Sequence, residues 1–347
     1  MEHILPAYDD PLFSIMLIIA LALIVTLVSY GWGIHKQQKE EGNLLKFLEK
    51  FDTAECALDT EDMVYTPDML KPLTLLAKAF ENSGEYHKSI SIYIFLIKHI
   101  EEESGEIELM ERLGRTYLHA GFLERAKTIY IEILRKKPRN IAVLYELGIV
   151  YETMQKYDKA REVLEPLQIL GEDTKTLEHF WDLSELFINK TLSTEEKVTK
   201  LKNLLQQDPT LYRPVATALL RLDTKSAWEI IDPEQIKALI DVLWFLPNSQ
   251  LDLDIITANE ALQTLYYAKG YLQEPHTNSG IFNVDMLATA KQNHFQEGDL
   301  IFSYLCKKCK QSFPVSFKRC PNCMAINSVK VEEKIAKATP KTDHSLL

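Results

Sequence analysis

The sequence predicts a mostly α-helical protein with a membrane helix at its N-terminus and a small metal module at its C-terminus. Three observations carry this. They are an uncharged apolar run before residue 35, a self-similarity with a period of 34 residues in the middle, and four of the five cysteines gathered between residues 306 and 323.

The apolar run comes first. No charged residue lies between Asp10 and His35, and the stretch from Leu12 reads LFSIMLIIALALIVTLVSYGW. At about 1.5 Å of rise per residue this helix spans the roughly 30 Å hydrocarbon layer of a bilayer. The residues ahead of it are acidic (Glu2, Asp9, Asp10), without the basic region of a cleaved signal peptide, and no small-x-small cleavage pattern follows. Lys36 and Lys39 come just after the run, whereas its N-terminal flank has neither Lys nor Arg, so the bulk of the chain is expected on the cytoplasmic side. The expected division is an extracytoplasmic N-terminus (1–11), a transmembrane helix (12–33) and a juxtamembrane linker or helix (34–66).

The repeat follows over residues 67–173. Residues 107–138 read IELMERLGRTYLHAGFLERAKTIYIEILRKKP, with Leu113, Gly114, Tyr117, Gly121, Ala126, Tyr130 and Pro138 in the large, small and aromatic positions of a tetratricopeptide repeat. Residues 141–172 repeat the pattern with Leu147, Gly148, Tyr151, Ala160 and Leu164, and a weaker unit at about 70–103 has Leu76, Ala77, Phe80, Gly84, Tyr86 and Tyr93. Small residues occur where paired helices approach most closely, and large ones fill the space between successive hairpins. The expected product is an α-solenoid with a concave groove. Its aromatics are packing residues, so partner-binding side chains are sought among polar positions of the inner helices, such as Arg112, Arg115, Glu146 and Glu152.

From 174 to 300 the repeat signal fades into degenerate helical hairpins punctuated by Pro209, Pro214, Pro233, Pro247 and Pro275, with Thr194 as a candidate helix cap and 274–300 as a linker. The cysteines follow in a module at 301–332, and residues 333–347 read as a disordered tail.

Cys306-x2-Cys309 and Cys320-x2-Cys323 form two tight turns, each presenting two thiolates on one side. Facing each other, they supply the tetrahedral S4 cage that one Zn²⁺ or Fe ion accepts. Lys307, Lys308, Lys310, Lys318 and Arg319 offset the negative charge of such a site, and Pro321 fits the turn. The ten-residue spacer is short for a two-knuckle zinc site and reads as a rubredoxin-like or minimal zinc-ribbon pair. Two disulfides are the competing reading, but bridges across two residues constrain little loop entropy. Cys56 reads as an ordinary unpaired cysteine.

Charge narrows the function. The chain carries −11, yet residues 306–347 hold nine Lys/Arg against three Asp/Glu, a net of +6 that leaves −17 for the remainder. An acidic body argues against nucleic acid as the main partner. The lysines of the basic knuckle read first as a solvated face; the surfaces they could touch are an acidic face of its own repeats, anionic headgroups and, least of all, nucleic acid. No phosphate loop, nucleophile elbow or HExxH pair occurs, and the reading is of a protein that is not an enzyme.

The order of anchor, repeats and terminal knuckles resembles the LapB (YciM) family of lipopolysaccharide assembly proteins of Gram-negative bacteria. The likeness rests on the anchor followed by YGWG, on LGRTYLHAGFLERAKTIY and YDKAREVLEPLQILGED, and on YLCKKCKQSFPVSFKRCPNC. Residues 205–300 depart from the family pattern, which makes this a divergent member. The resemblance implies a single-pass protein of the bacterial inner membrane. It further implies a non-enzymatic adaptor coupling the membrane protease FtsH to degradation of the LpxC deacetylase, which restrains lipid A synthesis. The metal ligands carried over are Cys306, Cys309, Cys320 and Cys323. Two alternatives stand beside it. One is a tetratricopeptide assembly factor for another envelope or motility complex, and the other is a rubredoxin-like iron protein for electron transfer.

Overall fold

The computed structural model describes residues 64–295 and 297–338. The span expected at 12–33 and Cys56 lie outside the described residues. Among the described residues no helix is long and apolar enough to cross a membrane. The chain divides into two compact units, Met1–Pro138 and Arg139–Leu347, so the third repeat (141–172) belongs to the second unit.

Among its described residues the first unit contains two helical hairpins, α1 (Leu70–Asn82) with α2 (Tyr86–His99) and α3 (Glu103–His119) with α4 (Leu123–Lys136). Ile92, Tyr93, Leu96, Met110, Leu113, Tyr117, Ala126, Tyr130 and Ile133 are buried at 2% exposure or less, which gives each helix an apolar stripe facing its neighbours. Gly114 shows why the small position is small: a Cβ there would be driven into the ring of Tyr130. Alanine gains about 1 kcal/mol of helix propensity over glycine, whereas overpacking a fixed aromatic costs about 1–3 kcal/mol. Gly114→Ala is therefore expected to lower the midpoint of thermal unfolding, and a raised midpoint would show that Tyr130 yields freely.

The second unit begins with α5 (Ile141–Thr153), capped by the Asn140 side chain, which accepts from Val143 N at 3.2 Å. Its partner helix is broken into α6 (Tyr157–Arg161) and α7 (Leu164–Ile169). Pro166 accounts for the break, because its ring crowds the carbonyl four residues back and it offers no N–H to that carbonyl. Next come α8 (Lys175–Ile188), α9 (Thr194–Gln207), α10 (Tyr212–Leu222), α11 (Thr224–Trp228), α12 (Ile236–Trp244), α13 (Leu253–Thr257), α14 (Glu260–Lys269) and α15 (Phe282–Gln292). The cap of α9 is Ser193 and not Thr194. Ser193 Oγ accepts from Glu196 N, while the Glu196 carboxylate accepts from Ser193 N, a reciprocal capping box.

Among the described residues three antiparallel strands follow the helices in the order β2-β1-β3: β1 (Gly298–Cys306), β2 (Ser312–Phe313) and β3 (Val329–Lys337). Tyr304 of β1 stands opposite Val331 on one side and Phe313 on the other. The sheet is part of the helical core. One continuous set of buried side chains runs from Leu183 through Leu219, Leu239, Trp244 and Leu265 to Leu300 of β1 and Val331 of β3.

The stretch 274–300 is not a plain linker, since it contains α15 and the start of β1. The module does not begin at 301 or end at 332, because β1 and β3 extend it from Gly298 to Lys337. Residues 333–337 are consequently the second half of β3 and not the start of a disordered tail. Their Lys and Glu content suggests a solvated segment, yet the backbone pairs with β1 from Glu333 opposite Phe302 to Lys337 opposite Gly298.

Candidate metal centre

The two Cys-x2-Cys turns are built alike. Cys306 ends β1, Lys310 N donates to Cys306 O at 2.9 Å, Cys306 N donates to Gln311 O at 2.9 Å, and Lys310 adopts a left-handed φ of 62°. In the second turn Met324 N donates to Cys320 O at 3.0 Å, Cys320 N donates to Ala325 O at 2.9 Å, and Met324 has φ of 56°. Non-glycine residues in that region cost about 1 kcal/mol or more each, and here the same strain recurs at the same position of both knuckles. It is the geometry that turns both thiols of a pair to one side. Lys307 N donates to Ser328 O at 2.6 Å and ties the first turn to the segment following the second.

The four sulfur atoms converge. Cys306 Sγ lies 3.7 Å from Cys323 Sγ, Cys309 Sγ lies 3.7 Å from Cys320 Sγ, and all four fall within 4.8 Å of one another. Metal–sulfur bonds of about 2.3 Å in a regular tetrahedron place sulfurs about 3.8 Å apart, so the cage fits a Zn²⁺ or Fe ion. A disulfide needs sulfurs about 2 Å apart, and all four cysteines are free thiols. Burial pushes the Cys306 thiol up, but hydrogen bonds with the Cys309 backbone, the Ser328 side chain and the Lys308 backbone outweigh it and bring it down to about 6. Cys320 is pushed up by burial to about 12. A bound dication would hold both as thiolates.

The cage is fixed to the repeat helices by the residues around it. Arg319, next to Cys320, forms a forked ion pair with Glu152 at the end of α5: Nε donates to Oε1 at 3.0 Å and Nη2 donates to Oε2. Both side chains are nearly buried, at 14% and 13% exposure. Trp181 of α8 donates its Nε1–H to Glu152 Oε2 at 2.7 Å, Arg319 Nη1 donates to Met324 O at 2.5 Å, and the Arg319 guanidinium lies 5.3 Å from the Phe180 ring centroid. One carboxylate thus joins a repeat helix, an indole and the second knuckle.

A second ion pair reaches the spacer between the two knuckles. Arg213 of α10 grips Asp241 of α12 through two bonds of 2.7 Å and also donates to Ser316 Oγ at 3.1 Å. Farther along, Trp244 Nε1 donates to Asp299 Oδ1 at 2.8 Å and Asn283 Nδ2 donates to Glu333 O at 3.0 Å.

Of the polar residues singled out for a groove, Glu152 is therefore committed to the module. Arg112, in the first unit, pairs with Glu108 at 2.8 Å, and Arg115 and Glu146 are each engaged within the chain. Of the basic residues, Arg319 pairs with one carboxylate of a repeat helix, Glu152, whereas Lys307, Lys308 and Lys310 are exposed and form no ion pair among the described residues. The Arg213–Asp241–Ser316 network was not legible in the sequence, because its members are scattered over residues 213–316.

No family model matches the chain. It is 28% identical over 124 residues to lipopolysaccharide assembly protein B of Escherichia coli K12, and equally to that of Escherichia coli O157:H7. The alignment covers 33% of this chain and 32% of the relative, so the chain spans about a third of the length of the curated relatives it matches. Among solved structures, one described as a MamA RS-1 ArsTM double mutant is 17% identical, covers 48% of this chain and 92% of its own, and superposes with a TM-score of 0.36.

Proposed function

We propose that this protein is a non-enzymatic adaptor of the lipopolysaccharide assembly protein B type, anchored in the bacterial inner membrane by residues 12–33 with its bulk in the cytoplasm. The observation that carries the reading is the docking of the four-cysteine cage onto repeat helices through Glu152 and Arg319. A cage built into a partner-binding scaffold is used to hold that scaffold in shape. The ion in this reading is Zn²⁺ or Fe, held by Cys306, Cys309, Cys320 and Cys323, and it supplies folding free energy. The partial identity to lipopolysaccharide assembly protein B supports a role in envelope biogenesis.

In the finer form of the proposal, the protein brings the LpxC deacetylase to the FtsH protease and so restrains lipid A synthesis. A common tether raises the effective concentration of the two without any new contact between them. Crosslinking in membranes followed by affinity capture tests this. Recovery of the protease together with the deacetylase, and accumulation of the deacetylase on depletion of the protein, is expected. Recovery of neither, with an unchanged deacetylase level, would move the reading to an assembly factor for a different envelope complex.

A further inference from the structure

β3 is the outer strand of its sheet, and part of its far edge is open. The hydrogen bonds at both ends of the β1–β3 ladder fix which residues face β1. Lys307 N donates to Ser328 O at 2.6 Å and Ala338 N donates to Glu297 O at 2.7 Å, and both pairs continue the register that sets Cys306 opposite Val329 and Gly298 opposite Lys337. Hydrogen-bonded and non-hydrogen-bonded pairs alternate along an antiparallel ladder. Lys334 and Ala336 therefore bond to β1, while Glu333, Ile335 and Lys337 turn their backbone groups away from it. Glu333 O agrees with this parity, since it accepts from Asn283 Nδ2 of α15 at 3.0 Å. The other outward groups here, the N–H of Glu333 and the N–H and C=O of Ile335 and Lys337, have no hydrogen-bond partner among the described residues.

The side chains around this edge set what can pair with it. Ile335 stands opposite Leu300 and so shares the face that the helices cover, and the Asn283 bond brings the first turn of α15 alongside the strand. Phe282 and Met286, on the same side of α15 as Asn283, are exposed, as is Ile335. Lys334 lies on the other face, exposed and without an ion pair among the described residues. Edge lysines guard a sheet against indiscriminate pairing, and this one asks for an acidic residue across from it. A second copy of the edge does not supply one in the registers that pair outward groups: about Ile335, Lys334 faces Ala336; about Lys334, it faces itself; about Glu333, two Glu333 carboxylates meet. We infer that residues 333–337 accept an extended segment of a protein partner as a fourth, antiparallel strand, with a carboxylate opposite Lys334 and an aliphatic side chain opposite Ile335, beside Phe282 and Met286. The inference rests on the adaptor reading in taking the strand from a partner, and it names the chemistry of that contact.

The test is a fluorescence-anisotropy titration of the full-length, metal-loaded protein in nonionic detergent with fluorescein-labelled GSETVETSG, its charge-reversed counterpart GSKTVKTSG and its proline counterpart GSETPETSG. The first is expected to bind, and the proline peptide to fail, because proline offers no N–H to Ile335 O. Lys334→Glu, whose backbone bonds to β1 are kept, is expected to weaken the acidic peptide about tenfold, near 1.4 kcal/mol, and to strengthen the lysine peptide. Amide exchange followed by NMR should slow at Glu333, Ile335 and Lys337 on saturation with the acidic peptide, with Lys334 and Ala336 already slow without it. No binding of the acidic peptide, equal binding of the proline peptide, or an affinity unmoved by Lys334→Glu would overturn the inference. So would a dimer of this protein that protects the same amides, or peptide binding that appears only once residues 339–347 are removed. The titration is independent of which proteins are captured from membranes, so this edge and the adaptor role can fail separately.

Discussion

Cys306→Ser and Cys320→Ser are each expected to abolish stoichiometric metal binding and to destabilise the entire second unit, not just its last strands. A structural zinc site contributes about 10–16 kcal/mol of apparent binding free energy to a small domain, and the unit as a whole is held by far less than the sum of its contacts. Because Leu300 and Val331 are part of the same core as Leu219 and Trp244, loss of the cage removes one wall of that core. A shift of roughly 10 °C or more in thermal unfolding corresponds to a few kcal/mol in a unit of this size. Elemental analysis beside calorimetry checks it. A variant that loses the metal yet melts unchanged would show that sheet and helices pack without the ion. The same preparation identifies the metal, since zinc thiolate centres are colourless and ferric rubredoxin-type centres are red.

The second large effect is expected at Glu152. Breaking a buried ion pair by removing one partner costs about 3–5 kcal/mol because a desolvated charge is left behind. Glu152→Ala leaves the Trp181 indole N–H without its acceptor and the Arg319 guanidinium without its counter-charge, with only Met324 O still accepting from it, so about 3 kcal/mol is expected. Arg319→Ala leaves a carboxylate that still accepts from Trp181, and should cost less. The double variant should cost less than the two single losses together, with a coupling of about 1–3 kcal/mol. Chemical denaturation of the four proteins of this cycle measures it, and strict additivity would mean that the pair does not hold the dock. Metal content should remain stoichiometric in Glu152→Ala, which separates a loosened dock from a lost cage.

What could be read in the sequence divides along physical lines. Gly114, Tyr117 and Tyr130 announce their helices because the small and aromatic positions are fixed by contacts within one repeat. The four cysteines announce a cage because a metal needs its ligand types at fixed short spacing. The pairing of Glu152 with Arg319 joins residues 167 apart, and no local pattern encodes such a contact. β3 was hidden for a different reason. Lys330, Glu332, Glu333, Lys334 and Lys337 resemble a solvated tail, and the half-buried Val329 and buried Val331 are too few to show the alternation. Pro166 was visible in the sequence, but the repeat signature around Ala160 and Leu164 masks its effect on the helix that it divides. The break in α6 and α7 follows from covalent geometry, which repeat matching does not weigh.

If the four-cysteine cage holds repeat helices in place, it does so across the Glu152–Arg319 contact. Amide hydrogen exchange of α5 and α8, compared between the metal-loaded protein and the Cys320→Ser variant, tests it most directly. Faster exchange at the C-terminal end of α5 and along α8 in the variant, with α1 to α4 unchanged, is the predicted result. Exchange that rises only between residues 298 and 337 would mean that the cage shapes nothing beyond its own strands.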